Sequence, residues 1–161
     1  MASLYRAHAL SMTRAALLLV GDLATAEDVV QDAFFGLYRG WRRLRDPAKA
    51  AAYLRAAVMN GSRSALRSRG AARKRDGAMQ MLHDLPARSA EAAAIASEEQ
   101  RDALAAVARL PRRQREVLVL RYYLGLADNE IAEALRISRG TVSSTCSRAL
   151  SVLTRELKEE E

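Results

Sequence analysis

The stretch from Asp128 to Leu153 constrains the fold of this chain more strongly than any other part of its sequence. Its pattern predicts a short helix, a tight turn and a longer second helix. Ser138 is suited to cap the second helix, because a serine hydroxyl at a helix start accepts hydrogen bonds from free backbone N–H groups. At roughly 100° per residue, one face of that helix collects the small or apolar residues Val142, Cys146, Ala149, Leu150, Leu153 and Leu157.

The opposite face of the second helix is polar and basic, with Ser144, Ser147, Arg148, Ser151 and Arg155. The recognition helix of a helix-turn-helix typically follows a tight turn and has one buried apolar face and one exposed face of hydroxyls and guanidiniums. An ordinary helical hairpin with a solvated polar face is the alternative interpretation. The DNA-binding interpretation is favoured, because small polar and basic side chains leave a surface that can approach the edges of bases.

The composition predicts an all-α protein. Ala, Leu and Arg dominate the 161 residues, which include three prolines and 5% aromatic residues, and such a chain forms one domain or two small ones. The single cysteine excludes an internal disulfide framework and a cysteine-based zinc site, and neither His8 nor His83 has neighbours at metal-ligand spacing. We expect no metal and no cofactor.

The sequence carries no pattern that predicts catalysis, neither a phosphate-binding loop nor a nucleophile beside a base. We therefore expect a protein that is not an enzyme and has no small-molecule substrate. The start of the chain lacks the charged region of a signal peptide, and the apolar run from Ala15 to Val20 is too short to span a bilayer. We expect no membrane insertion and a cytoplasmic location.

Positive charge is concentrated in the N-terminal half. Of the formal net charge of +7, residues 1–75 contribute +9, from 14 Lys and Arg against 5 Asp and Glu. Residues 76–95 contribute −2 and residues 96–161 contribute 0, from 11 residues of each sign. Such an excess suits a polyanionic partner. Since a C-terminal DNA reader would not need it, we expect the N-terminal half to contact nucleic acid too.

Two helices are predicted at the start of the chain. The first covers residues 3–20 and ends at Gly21. The second begins with Thr25 as its N-cap and Asp28 completing a capping box. Helical spacing predicts that the second helix and its end bury Val30, Ala33, Phe34, Leu37, Trp41 and Leu44.

A third helix is predicted from Asp46-Pro47, a good helix start, to about Arg69. Its inner stripe is Ala50, Tyr53, Leu54, Ala57, Val58 and Ala65. Asn60-Gly61 lies in mid-helix although both residues have low helix propensity. This conflict predicts a kink, a break or a functional constraint.

The C-terminal half begins with a linker, because residues 70–96 carry Gly70, Gly77 and Pro86 and at first show no sustained apolar stripe. The linker is predicted to become helical again near Ser89 or Ala90. Residues 97–110 are predicted as an amphipathic helix. A further helix, Arg113–Leu124, precedes the helix-turn-helix. Its expected inward residues are Val117, Leu118, Leu120 and Tyr122.

Three ordered segments of the chain resemble bacterial RNA polymerase sigma factors of the extracytoplasmic-function type, and within that type the SigE-like actinobacterial subfamily. AEDVVQDAFFGLYRGW is similar to the conserved-region-2 helix that docks on the polymerase clamp. DPAKAAAYLRAAVMNGSRSALR is similar to the −10 element reader of the same domain, and LPRRQREVLVLRYYLGLADNEIAEALRISRGTVSS is similar to region 4. Together the segments cover nearly the whole chain.

The resemblance implies two small helical domains joined by a flexible linker. Region 2 is expected at residues 1–70, the linker at 71–96, and region 4 at 97–158. The implied function is to bind core RNA polymerase and direct it to promoters, with the first domain opening the −10 region and the second reading the −35 duplex. Promoter DNA and the polymerase are thus the expected partners, with an anti-sigma factor as a further partner.

The resemblance also implies the site residues. Region 4 is expected to contact −35 DNA through Arg136, Arg139, Thr141, Ser143, Ser144, Ser147 and Arg148. Region 2 is expected to contact −10 DNA through Asn60, which would hold a flipped base, and through Arg55, Arg63 and Arg67. The polymerase is expected to bind Asp28, Gln31, Asp32, Tyr38 and Arg39. Many relatives have Lys or Arg where Ser143 stands, which predicts weaker −35 binding or more reliance on the arginines.

Two other functions remain as alternatives. A free-standing helix-turn-helix regulator would bind an operator without polymerase, but it leaves the basic N-terminal half unexplained. A protein-interaction module of the sigma/anti-sigma type would support no transcription in any reconstitution.

Overall fold

The computed structural model describes residues 2–75 and 105–159, and all of their regular secondary structure is helical. The chain divides into two compact units, Met1–Leu82 and His83–Glu161. Within the described residues, the expectation of an all-α protein is confirmed. Most of the expected linker lies outside these residues. The start of the helix expected at 97–110 also lies outside them, and its described residues 105–109 are helical.

Residues 2–75 of the first unit form three α-helices and two short 3₁₀ helices, Trp41–Arg43 and Pro47–Lys49, and each α-helix packs against the other two. The α-helices are α1 (Ala2–Val20), α2 (Leu23–Gly40) and α3 (Ala50–Arg75). The predicted stripe of α2 is buried at Val30, Ala33, Phe34 and Leu37, whereas Trp41 and Leu44 are half-buried. The ring of Tyr5 on α1 packs against Phe34, with 4.9 Å between centroids.

The turn between α1 and α2 differs from the prediction at its cap. Gly21 ends α1 with a φ of +85°, as expected of a glycine in this position. The N-cap of α2 is Asp22, whose carboxylate accepts from the Thr25 backbone N–H at 2.8 Å. The predicted capping box of Thr25 and Asp28 is therefore wrong. The pairs Asp22–Thr25 and Thr25–Asp28 both have the spacing of a cap, and the structure uses Asp22–Thr25 to start α2.

Arg69 ties the end of α3 to this turn. Its guanidinium donates to the backbone oxygen of Val20 at 2.8 Å, to the carboxylate of Asp22 and to the hydroxyl of Thr25. Burial acts to raise the pKa of the Asp22 carboxyl, but hydrogen bonds from Thr25 and Arg69 outweigh it and hold the pKa below its usual value. These contacts join residues 44 to 49 positions apart in sequence.

Helix α3 is unbroken through Asn60-Gly61, which excludes a break, one of the three alternatives predicted at this position. A Cβ on Gly61 would lie 2.9 Å from Cγ1 of Val29, closer than side chains tolerate. Glycine here lets α2 and α3 approach, which is a packing reason for its presence. The helix also runs to Arg75 rather than Arg69, and Tyr53, which was expected to be buried, is 43% exposed.

The second unit contains α4 (Arg112–Leu118), α5 (Asp128–Leu135) and α6 (Arg139–Glu159). Helix α4 continues into a π-turn, Val119–Tyr123, in which the Leu124 N–H donates to the Val119 oxygen. Both α4 and α5 pack against α6. The core of this unit includes Val117, Leu120, Ile131, Val142, Cys146 and Ala149.

Three side chains that were expected to face inward are exposed in this unit. Tyr122 is 63% exposed, Leu150 41% and Leu157 39%. At roughly 100° per residue, Leu150 lies about 80° around the helix from Val142, at the edge of the predicted stripe. Measured around the helix from Val142, the buried side chains of α6 extend in the direction opposite to Leu150 and include Thr145, which is 3% exposed.

Candidate DNA- and partner-binding surfaces

The turn between α5 and α6 has the geometry of a helix-turn-helix. Arg136 adopts the left-handed conformation, with φ 54° and ψ 50°, and its N–H donates to the oxygens of Ala132 and Glu133. Ser138 then caps α6, because its hydroxyl accepts from the Thr141 N–H at 3.1 Å. The cap predicted from the sequence is confirmed. Its effect is to start the longer helix directly after the turn.

The residues expected to contact −35 DNA are all exposed, and they belong to the turn and the first half of α6. They are Arg136, Arg139, Thr141, Ser143, Ser144, Ser147 and Arg148. The hydroxyl of Ser144 donates to the Thr141 oxygen at 3.2 Å, which leaves the oxygen of this exposed side chain able to accept a hydrogen bond. Arg148 lies along its own helix, donating to the Ser144 oxygen at 3.3 Å and to the Thr145 hydroxyl at 3.4 Å.

Most arginines of the second unit are already engaged within it. Arg109 pairs with Glu156 at 3.3 Å and Arg121 with Asp128 at 2.7 Å. Glu116, which is 2% exposed, holds both Arg112 and Arg113 at 3.1 Å. Arg115 donates to the backbone oxygen of Ala108 at 2.9 Å, and burial lowers its pKa from the usual value.

Three guanidiniums of this unit have no partner among the described residues, those of Arg136, Arg139 and Arg155. Two of the three flank the turn and the start of α6. The residues from 96 to the end carry no net charge, so the position of these uncompensated cations determines where a polyanion is attracted. Two of these cations, Arg136 and Arg139, lie beside the exposed hydroxyls at the start of α6.

On α3, the structure brings together most but not all of the residues expected to contact −10 DNA. Asn60 and Arg67 are exposed on one face, and Arg63 is half-buried beside them. Arg55 is half-buried and, at roughly 100° per residue, lies about 140° around the helix from Asn60. The structure thus does not place Arg55 on the Asn60 face.

Tyr53 is a further candidate for contact with −10 DNA, although its helical spacing predicted a buried position. It precedes Asn60 by seven residues, close to two helical turns, so the two side chains share a face. A Cβ on Gly36 of α2 would lie 3.2 Å from the Tyr53 hydroxyl, so the ring reaches across to α2 while remaining 43% exposed. The seven-residue spacing from Asn60 was the available signal.

The residues expected to bind the polymerase share the outer face of α2. Asp28, Gln31, Asp32, Tyr38 and Arg39 are all exposed. Phe35, which the prediction omitted, lies among them and is 60% exposed, with the Arg39 guanidinium 5.7 Å from its ring centroid. Adjacent helix residues point about 100° apart, so burial of Phe34 was a signal that Phe35 faces outward.

An exposed aromatic patch rimmed by charged residues is typical of a protein-binding surface. Tyr38, at 66% exposed, extends the patch beyond Phe35.

Among residues 2–75 and 105–159, we find no cluster of side chains arranged to hold a metal ion and no helix long and apolar enough to cross a membrane.

Both helical units match models of known protein families. Residues 4–72 match the family described as "Sigma-70 region 2", and residues 100–153 match "Sigma-70, region 4". The region 2 match thus covers almost all of the described part of the first unit. The region 4 match covers the turn between α5 and α6 and the residues of α6 expected to contact DNA.

Curated relatives are similar over most of the chain. The RNA polymerase sigma-E factor of Streptomyces coelicolor is 33% identical over 91% of this chain and 80% of its own length. The ECF RNA polymerase sigma factor SigL of Mycobacterium tuberculosis is 32% identical over 99% of this chain and 89% of its own length. The probable RNA polymerase sigma factor RfaY of Xanthomonas campestris is 32% identical over 91% of this chain, which spans only 38% of that relative.

Solved structures share the fold. The sigma factor RpoE, bound to the anti-sigma factor NepR from Bartonella quintana, superposes with a TM-score of 0.75 at 23% identity, covering 100% of both chains. CnrH, in complex with the cytosolic domain of CnrY, gives a TM-score of 0.69 at 23% identity over 99% of this chain and 88% of that one.

Proposed function

The chain belongs to the sigma-70 family of RNA polymerase sigma factors, within its extracytoplasmic-function group, and we propose how its surfaces direct promoter-specific transcription initiation. In this proposal region 2 covers residues 1–70, a linker covers 71–96, and region 4 covers 97–158. The similarity to the Streptomyces sigma-E factor supports placement in the SigE-like subfamily. The proposed location is the cytoplasm, and the chain itself catalyses no reaction.

The observation that carries the proposal is the surface of α6. Its exposed first half presents hydroxyls, and the neighbouring guanidiniums of Arg136 and Arg139 have no partner among the described residues. A helix that enters the major groove needs small polar groups toward the bases and cations toward the phosphates. We assign Ser143, Ser144 and Ser147 to the first task and the two arginines to the second.

We assign the outer face of α2 to core RNA polymerase. Phe35 and Tyr38 give it an aromatic centre, and Asp28, Asp32 and Arg39 give it a charged rim. Interfaces often derive most of their binding energy from a few buried aromatic anchors at their centre. Phe35 is therefore the residue whose loss should weaken polymerase binding most.

We assign the exposed face of α3 to the −10 element. Asn60 has an amide that both donates and accepts, which suits it to hold an extruded base. Arg67 and Arg63 lie on the same side to attract the phosphates of the opened strand. Tyr53 adds an aromatic surface to that face, and Arg55 keeps at most an indirect part.

We also propose an anti-sigma factor as a regulatory partner. The support is by analogy, since the RpoE structure with the same fold contains the anti-sigma factor NepR. An anti-sigma factor that covers the outer face of α2 would block polymerase binding directly.

The test of the overall function is run-off transcription. Purified chain is added to core RNA polymerase of the source bacterium on a library of genomic promoter fragments, and transcripts are sequenced. Promoter-dependent transcripts that core alone does not make are the expected result. Absence of such transcripts together with tight operator binding by the isolated chain would favour a free-standing regulator. Absence of both would favour an interaction module.

Matched variants test the surface assignments. Phe35→Ala is compared with Leu10→Ala on α1, because the two side chains are almost equally exposed, at 60% and 61%. Loss of a central aromatic anchor typically costs about 2 kcal/mol or more, so core binding should fall by about 30-fold for Phe35→Ala and stay unchanged for Leu10→Ala. Equal effects of the two variants would contradict the assignment of α2.

Asn60 is tested at a later step. Asn60→Ala should bind core polymerase normally, because the residue is exposed and lies on another helix from the α2 surface. It should open duplex promoters more slowly, as followed by permanganate footprinting of the −10 region. Normal opening kinetics would remove Asn60 from the −10 site.

A further inference from the structure

Arg136 is the one non-glycine residue with positive φ among residues 2–75 and 105–159. The other two positive-φ positions in these ranges are glycines, Gly21 and Gly125. A side chain with a Cβ is strained in the left-handed region, whereas glycine adopts it freely. The turn between α5 and α6 thus has an arginine where glycine would fold more easily.

The fold explains the backbone conformation of Arg136 but not its side chain. The Arg136 N–H donates to the oxygens of Ala132 and Glu133, and the Ile137 N–H donates to the Ala132 oxygen at 3.0 Å. These bonds end α5 and would form equally well with glycine. The guanidinium is exposed and has no partner among the described residues.

The position of this guanidinium indicates its ligand. It lies two residues before Ser138, the cap of α6, where the N–H groups of a 21-residue helix also attract anions. Arg139 adds a second uncompensated cation three residues later. Most other arginines of the unit are neutralised by carboxylates or bonded to its own oxygens. Two of the three guanidiniums without a partner among the described residues, those of Arg136 and Arg139, therefore lie at the start of α6.

We propose that Arg136 binds a backbone phosphate of promoter DNA and is retained for that contact in a turn that would be more stable with glycine. The inference rests on the proposed −35 function and adds that this contact is independent of base sequence. It also adds that folding stability and DNA affinity are opposed at this position. A single substitution should then move the two properties in opposite directions.

Arg136→Gly is the central variant. Relief of the strained backbone, less the extra freedom of glycine in the unfolded chain, should slow hydrogen exchange of the α5 and α6 amides by about fivefold. Loss of one phosphate contact should lower affinity for a random-sequence DNA duplex by roughly eightfold at about 0.1 M salt, and reduce the salt slope by about 0.9. Hydrogen-exchange mass spectrometry and fluorescence anisotropy measure these changes on the full chain.

Two further variants separate strain from charge. Arg136→Lys keeps the positive charge and the strained backbone, so exchange and DNA affinity should both stay near those of the original chain. Arg155→Gln removes another guanidinium without a partner among the described residues, but one that lies roughly 24 Å farther along α6 from its start. It should leave the salt slope unchanged.

The outcomes distinguish this inference from the proposed function. If Arg136→Gly slows exchange but keeps the original affinity and salt slope, the phosphate contact is refuted, provided the original chain still supports promoter-dependent transcription. If exchange is not slowed, the strain argument is refuted. If the original chain supports no promoter-dependent transcription with core polymerase, the function fails and the inference fails with it.

Discussion

Substitution of Gly61 by alanine sets two opposing effects against each other in the middle of α3. Alanine is more favourable than glycine in a helix interior by about 1 kcal/mol, so propensity alone predicts a gain in stability. The new Cβ, however, would lie 2.9 Å from Cγ1 of Val29. Carbon atoms in contact normally lie about 3.5 to 4.0 Å apart, so Val29 must move or α2 and α3 must separate.

The packing effect should outweigh the propensity effect. Val29 is 8% exposed, and a β-branched side chain in a helix strongly prefers one rotamer, so it has little freedom to turn away. Forcing an extra methyl into a packed core typically costs about 1 to 3 kcal/mol. After subtraction of the gain of about 1 kcal/mol in propensity, we expect Gly61→Ala to lower the free energy of unfolding by about 1 kcal/mol.

Gly70 offers a matched control in the same helix. A Cβ on Gly70 would have no neighbour within 4 Å, so Gly70→Ala should show only the propensity gain and stabilise the unit by up to about 1 kcal/mol. Adding Val29→Ala to Gly61→Ala removes the overlapping methyl. The double variant should therefore be more stable than the sum of the two single changes, by about 1 to 2 kcal/mol.

Trp41 makes this measurement specific to the first unit, because it is the single tryptophan of the chain and lies directly after α2. Denaturant unfolding followed by tryptophan fluorescence gives the free energy of unfolding for each variant. If Gly61→Ala were as stabilising as Gly70→Ala, the close approach of the helices would not explain the glycine. The sequence-based expectation of a functional constraint would then regain support.

Three further predictions concern the first unit and use the same fluorescence assay. Arg69→Ala should lower the free energy of unfolding by roughly 2 kcal/mol, because its charged hydrogen bonds are only partly exposed, and a loss below about 0.5 kcal/mol would contradict the role of Arg69 as a tie. Because the pKa of Asp22 is depressed in the folded state, the stability it contributes should be present above its unfolded pKa and be lost as the pH falls through the lower folded value. The variant Asp22→Asn should lack that acid dependence, and an unchanged pH profile would exclude Asp22 as its source. Ser62 is fully buried and its hydroxyl has no partner among the described residues, so Ser62→Ala should stabilise the unit by roughly 1 kcal/mol, whereas a destabilised variant would indicate a hydrogen bond through water.

Local sequence determined the features whose partners lie within about one helical turn. Ser138 was predicted to cap α6, and its hydroxyl does accept from Thr141. Gly21 was predicted to end α1, and it has positive φ. Likewise, helical spacing predicted that α2 buries Val30, Ala33, Phe34 and Leu37, and all four are buried. Such caps depend on neighbours in sequence, although at α2 two pairs had the spacing of a cap and only the structure decided between them.

The tertiary structure decided what depends on the width of a buried face and on partners far along the chain. Periodicity indicated the centre of the buried stripe of α6, but only the packing of α4 and α5 against it decided that Thr145 is inside and Leu150 outside. The contacts of Arg69 with the α1–α2 turn and the approach of Val29 to Gly61 join residues dozens of positions apart. Such contacts depend on the distance between helices, which the periodicity of a single helix does not contain.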